Sequence, residues 1–275
     1  MVKDLGLRDD DVARIGAEQG RARLTRDKER LHLTLEALEQ TEDDDDRLVR
    51  REIDLVASKN LVVTVHDGPV EALRRFAQDF DGETRLGALD AAAFMSSLVD
   101  AVIAGYFRLA EAIEQDIDRL DQRALHGRPG DDVLGDIVRT RRRVSLVRRT
   151  LAPHRDALAA LARPDMQVEE TIGQPWPGLV DRLDAAMAAV EGLRDSLLGT
   201  YDIHMGRTSQ RANDVMKVLT LLSAILLPAV VLAGIMGMNF KLAFFDESTN
   251  FFLVVATMAV LAIFILAIAR WRRWL

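Results

Sequence analysis

The sequence predicts an α+β membrane protein, with a small N-terminal α/β domain, long coiled-coil-like stalk helices and two C-terminal transmembrane helices. Three observations predict it. Apolar residues alternate in short stretches between 31 and 66, then recur every three or four positions through three long segments. Two charge-free runs, Val218 to Phe240 and Ser248 to Ala269, follow near the C-terminus. Averages hide this segregation, because 29% of the residues are charged and the mean hydropathy is +0.02. The expected domains are 1–84 (reduced α/β), 85–217 (helical stalk) and 218–275 (transmembrane), with spans at 218–237 and 251–269.

Residues 1–30 are polar and charge-dense and read as a helix or a partly ordered arm. Strands are expected at 31–39, 47–57 and 60–66, where "LHLTLEALE", "RLVRREIDLVA" and "LVVTVH" alternate or are rich in β-branched residues. The run "DDDD" (43–46) reads as a break and a solvated hairpin tip. A helix follows in "DGPVEALRRFAQDF", with Asp67 placed to cap it and Pro69 near its first turn.

Three helical stripes come next. The first passes Leu98, Val102, Tyr106, Leu109, Ile113, Ile117, Leu120 and Ala124, and "HGRPG" ends it. The second passes Val133, Ile137, Val144, Val147, Leu151, Leu158 and Leu161, and "RPD" closes it. A proline-bearing loop over 164–178 leads to the third, through Leu179, Leu183, Val190, Leu193 and Leu197. Gly206 is a weak interruption, costing about 1 kcal/mol against alanine. The third helix and the first span are therefore expected to be one helix of some sixty residues, ~90 Å by helical rise.

Each charge-free run is long enough to cross a hydrocarbon core of roughly 30 Å. Arg207, Arg211 and Lys217 precede the first, and Arg270, Arg272 and Arg273 follow the second. The loop between them has only Lys241, set against Asp246 and Glu247. By the positive-inside rule both termini are expected in the cytoplasm, at a cell (inner) membrane crossed twice. Trp271 and Trp274 suit interfacial anchors. The N-terminal stretch has no apolar signal-peptide core.

Several functions are disfavoured. The chain has no cysteine, which removes disulfides and thiolate metal sites, and its net charge of −7 argues against general nucleic-acid binding. No phosphate-binding glycine loop or nucleophile–base set is recognisable, so no catalytic residues and no enzyme are expected. His154 and His204 fall on or near apolar stripes, His32 and His66 in strands and His126 at a helix end. No pair has zinc-ligand spacing.

On the first span and its approach, Asn213, Met216, Leu219, Ser223, Leu227, Val230, Gly234 and Gly237 share one neutral stripe. From pattern alone it serves equally as a helix-packing face, since small residues let membrane helices approach closely, or as a pore lining. The stretch "RTSQRANDVMKVLTLLSAILLPAVVLAGIMGMNF" resembles the CorA-type divalent-cation transporters. Asn213 before "VMKVLT", Pro228 mid-span, "AGI" at 233–235 and the terminal Gly237-Met238-Asn239 stand in that family's order. The short loop, second span and basic "RWRRWL" tail complete the pattern, and segments upstream resemble its cytoplasmic parts. The resemblance covers roughly 31–275.

The resemblance implies a homopentamer whose central pore is lined by the stripe, with Gly237, Met238 and Asn239 as selectivity filter. It implies Mg²⁺ as the transported ion and as a regulatory ion between cytoplasmic domains, with no permanently bound cofactor. Gly237 and Asn239 are then the metal-facing residues, supplying backbone carbonyl and side-chain amide to a hydrated ion. Gly237 permits the helix to end there, and Met238 packs the turn. Lys241, Asp246 and Glu247 form the loop at the mouth, which reads "FKLAFFDES" where family members often carry Met-Pro-Glu. Asp9–Asp11 and Glu42–Asp46 are acidic stretches without a match to the family's sensing aspartates. Two other readings stay open: a Zn²⁺ or Co²⁺ transporter of the same architecture, proton-coupled or working as efflux, and a non-conducting coiled-coil scaffold or sensor.

Overall fold

The computed structural model describes residues 20–27, 30–41, 44–58, 61–80, 91–127, 130–161, 176–238 and 248–272. The expectations for residues 1–19, including Asp9–Asp11, lie outside them. The chain divides into two compact units, Met1–His204 and Met205–Leu275.

In the first unit four strands, β1 (Arg23–Asp27), β2 (Arg30–Thr41), β3 (Asp44–Ser58) and β4 (Leu61–His66), form an antiparallel meander in that order. β1 is a strand where a helix or a partly ordered arm was expected. Its five residues, Arg-Leu-Thr-Arg-Asp, are too short and charged to show alternation, as is common for an edge strand. β2 and β3 also run further than expected. Asp44 pairs with Thr41 across a register shift at Gln40/Thr41, so part of the acidic run belongs to the ladder.

Pairing explains the two faces. Leu33 lies opposite Leu55 and Leu35 opposite Ile53, and all four are essentially fully buried. The intervening positions carry a polar set, His32, Thr34, Glu36, Glu52 and Asp54. Asp54 accepts from the Thr34 hydroxyl at 2.8 Å and contacts His32 Nε2 at 3.0 Å.

Among the described residues four helices begin in this unit: α1 (Glu71–Phe80), α2 (Ala91–His126), α3 (Val133–Leu161) and α4 (Trp176–Met236). Asp67 does not cap α1. The Glu71 amide instead donates to the Glu39 carboxylate of β2 at 3.0 Å, so the sheet holds the helix start. All the stripe residues expected on α2, α3 and the first part of α4 are buried in one core. Arg143 of α3 bonds Asp116 of α2 at 2.6 Å, and Arg123 bonds Asp136 at 2.5 Å, tying the two helices along one seam.

A second tie joins both helices to the sheet. β1 pairs with β2 only as far as Thr34, opposite Arg23, so the backbone of Glu36 has no strand partner on that side. Tyr106 of α2 donates its hydroxyl to the Glu36 carbonyl at 2.7 Å. His154 of α3 accepts the Glu36 amide at Nε2, 3.0 Å away, and its Nδ1 donates to the Thr150 carbonyl at 2.9 Å. The rings meet edge to face at 5.7 Å. Burial drives the His154 pKa down to about 4, which keeps the ring neutral and able to accept. Burial also raises the pKa of Glu36, against the opposing pull of Arg50, and raises that of Glu39.

The second unit holds α4 from Met205 onward and α5 (Ser248–Trp271). α4 continues through Gly206 and contains Pro228. Among the described residues three helices are long and apolar enough to cross a membrane: Ala91–His126, Gly178–Met236 and Thr249–Trp271. The first has half of its most apolar window buried, whereas the other two have none. Trp271 is 85% exposed at the end of α5.

Candidate functional site

Asn213, Met216, Leu219, Ser223, Leu227, Val230 and Gly234 all lie on α4, and every one is exposed on the single chain. Leu219 is 61% exposed and Leu227 68%. The less exposed residues of this stretch are Leu221, Ile225, Pro228, Ala229, Leu232 and Met236. They recur at helical spacing, and so do Val254, Met258, Leu261, Ala262, Ile265 and Ala269 on α5, the other helix of the unit. At about 100° per residue, the covered face and the neutral stripe fall on opposite sides of α4. The stripe is thus the face that α5 leaves open. It is not the face on which the two helices of one chain pack.

Gly237 and Met238 follow the helix directly. The Gly237 amide donates to the Ala233 carbonyl at 2.9 Å and the Met238 amide to the Ile235 carbonyl at 3.2 Å, a tightening of the last turn. Gly237 is not among the described glycines with positive φ, so a left-handed backbone is not its role. A side chain there would meet the Ala233 carbonyl at 3.4 Å, close to where helical carbonyls are left without partners. Met238 is about half exposed. Asn239, Lys241, Asp246 and Glu247 lie outside the described residues.

At the other end of the stripe the surface is polar. Asn213 lines a concavity of about 520 Å³ together with Ser209, Gln210, Met216 and Thr220. Ser209, one turn before Asn213, continues the neutral face and was missed by the sequence reading. Its signal was the helical period carried four residues upstream. Lys217 and Asp214, paired at 3.2 Å, line the same concavity. Among the described residues no group of three or more His, Asp or Glu side chains is placed to hold a metal ion.

Two of the histidines take part in packing contacts of the first unit. His154 is buried in the sheet tie, and His32 pairs with Asp54.

Known proteins share this fold. The chain is 28% identical over 239 residues to the cobalt/magnesium transport protein CorA of Thermotoga maritima, covering 83% of this chain and 66% of that protein. Its fold matches the complete CorA magnesium transporter of Methanocaldococcus jannaschii with a TM-score of 0.84 at 21% identity, over 100% of this chain and 86% of that one. The full-length CmaX protein matches at a TM-score of 0.70 and 22% identity, over 98% and 82% of the two chains. The model of the family described as CorA-like Mg²⁺ transporter protein matches residues 1–271. With that match covering nearly the whole chain, this protein is a member of the CorA-like Mg²⁺ transporter family.

Proposed function

We propose that the chain forms a homopentameric, passive Mg²⁺ channel of the cytoplasmic membrane, with two spans per subunit and both termini in the cytoplasm. The observation that carries this reading is the neutral stripe on α4, exposed and facing away from α5. Copies assembled about an axis would bring five such faces together and leave α5 toward lipid. The burial of half of the apolar window in α2 favours two spans over three. The division into 1–84, 85–217 and 218–275 follows the same reading.

The mechanism rests on hydration. Mg²⁺ releases its waters reluctantly, so a pore that strips them is slow and one that hydrogen-bonds them is not. Five Asn239 amides and the carbonyls near Gly237 accept hydrogen bonds from the ion's own waters at the outer mouth. Asp246 and Glu247 outnumber Lys241 in the loop and concentrate cations there. Leu219 and Leu227 form apolar rings that close the path by dewetting, and Asn213 with Ser209 re-solvates the ion at the inner end. Met238 is too soft a donor for Mg²⁺ and packs the turn.

The Thermotoga relative is a cobalt/magnesium transport protein, which makes cobalt a second candidate cargo. Flux of Mg²⁺, Co²⁺ and Zn²⁺ into proteoliposomes, with and without a proton gradient, tests the proposal on the native chain and on Asn239→Ala. Mg²⁺ flux without a gradient, abolished in the variant, is the expected result. Zn²⁺ or Co²⁺ flux that follows the proton gradient would replace the cargo. Absence of all flux from a folded oligomer would favour a non-conducting scaffold.

A further inference from the structure

In the first unit, a groove of about 1020 Å³ runs between α3 and α4 beside the polar side of the sheet. Its character is mixed in a particular way. Leu134, Val138, Leu198 and Tyr201 are large apolar side chains left exposed in it, at i,i+4 on α3 and i,i+3 on α4. Arg141, Arg148, Arg149 and Arg194 rim it. Of these, Arg148 meets Glu191 only at 3.8 Å with both side chains well exposed, and the other three make no ion pair among the described residues. An apolar floor with a charged rim is the anatomy of a docking surface and not of an ordinary solvated face.

The chain carries a complementary surface. Glu111, Glu114 and Asp118 stand exposed on α2 at i, i+3 and i+7, and they make no ion pair among the described residues. The seam between α2 and α3 is marked by Asp116 and Arg143. At about 100° per residue, the acidic ridge lies on the flank of α2 away from that seam. Leu134, Val138 and Arg141 lie on the flank of α3 away from it. The ridge's flank of α2 also carries Asp100, which pairs with Arg182 of α4 at 2.8 Å, so α4 stands between ridge and groove and one subunit does not bring the two together.

We infer that the acidic ridge of α2 in one copy docks into the arginine-rimmed groove of the next, making a head-to-tail interface between cytoplasmic domains. The inference rests on the proposed homo-oligomer and names the surfaces that build it. Two different, complementary faces generate a ring when the rotation closes, whereas a two-fold contact would pair each face with itself. Charge sets the register and direction of assembly, and the exposed leucine, valine and tyrosine supply the apolar contact. The same charge pattern makes the interface sensitive to salt, with screening over roughly 8 Å at physiological ionic strength.

Charge reversal tests it on the full chain in detergent, read by native mass. Arg141→Glu with Arg194→Glu places acid against acid, and Glu114→Arg with Asp118→Arg places base against base. Each pair alone is expected to lower the assembled fraction roughly tenfold or more, since like charges set face to face are strongly disfavoured. All four substitutions together are expected to restore assembly. These side chains are exposed, so helicity by circular dichroism should stay at the native value. The neutral pair Arg141→Gln and Arg194→Gln gives a milder form of the same loss. An oligomer indifferent to both reversals would overturn the docking and leave the groove to another occupant, such as a free polyanion, while the oligomer reading stands. Dissociation that the fourfold variant does not repair would overturn the pairing of these two faces. A single-subunit mass for the native chain would overturn the docking and the oligomer together.

Discussion

His154 offers a perturbation whose size follows from its surroundings. It is buried, accepts the Glu36 amide at Nε2 and donates from Nδ1 to Thr150, so both ring nitrogens are used in the neutral form. Burial lowers its pKa from 6.5 to about 4, with backbone hydrogen bonds pulling weakly the other way. The unfolded chain binds this proton below pH 6.5, and the folded chain does so only near pH 4. Stability from this group is therefore complete above pH 6.5 and is lost as pH falls from 6.5 toward 4. The interval of 2.5 units corresponds to about 3 kcal/mol. Glu36 and Glu39, whose pKa values are raised by burial, work in the opposite direction over part of this range, so the native curve alone does not isolate the histidine. His154→Gln does isolate it, because the amide oxygen can accept from Glu36 without titrating. Thermal unfolding of the full chain in detergent, scanned from pH 7.5 to 4, should show the native midpoint falling more steeply than that of the variant below about pH 6.5. Parallel curves for the two proteins across that window would refute the reasoning.

Three further outcomes are expected. Tyr106→Phe leaves the buried Glu36 carbonyl without its donor, at a cost of about 1–2 kcal/mol, measured as a lower chemical unfolding midpoint with unchanged helicity. Glu39→Ala removes the acceptor of the Glu71 amide, and about 1 kcal/mol of end-fraying should appear as faster hydrogen exchange confined to the first turn of α1. Leu227→Ser wets the apolar ring proposed in the pore and should raise basal cation flux in proteoliposomes, whereas an unchanged flux would remove Leu227 from the gate.

The legible and illegible parts of this molecule differ in a physical way. The stripes Leu98 to Ala124, Val133 to Leu161 and Leu179 to Leu197 could be read because burial of apolar side chains repeats with the helix. β1 could not, because five residues with charges at Arg23, Arg26 and Asp27 carry no period. The contact of Glu36 with His154 spans 118 residues of sequence and involves a backbone amide, which no side-chain pattern encodes. Glu39 as the partner of α1 was hidden for the same reason, and Asp67, close in sequence, was the natural but incorrect candidate. On α4 the stripe was legible, but its equal suitability for packing and for a lining was not resolvable from spacing. The position of the less exposed face shows only that the stripe is not the side turned toward α5 within one chain.

The tie at Glu36 has a consequence for the life of a newly made subunit. An unfinished sheet edge invites a strand from any neighbouring chain, and the recruitment of many such strands is the beginning of an aggregate. Here the free donor and acceptor of Glu36 are already taken by a tyrosine and a neutral histidine, so an incoming strand finds no hydrogen bonds to win at that point. A chain waiting for its partners is thereby steered away from polymerising through its sheet, and its helical faces are left as the route to assembly.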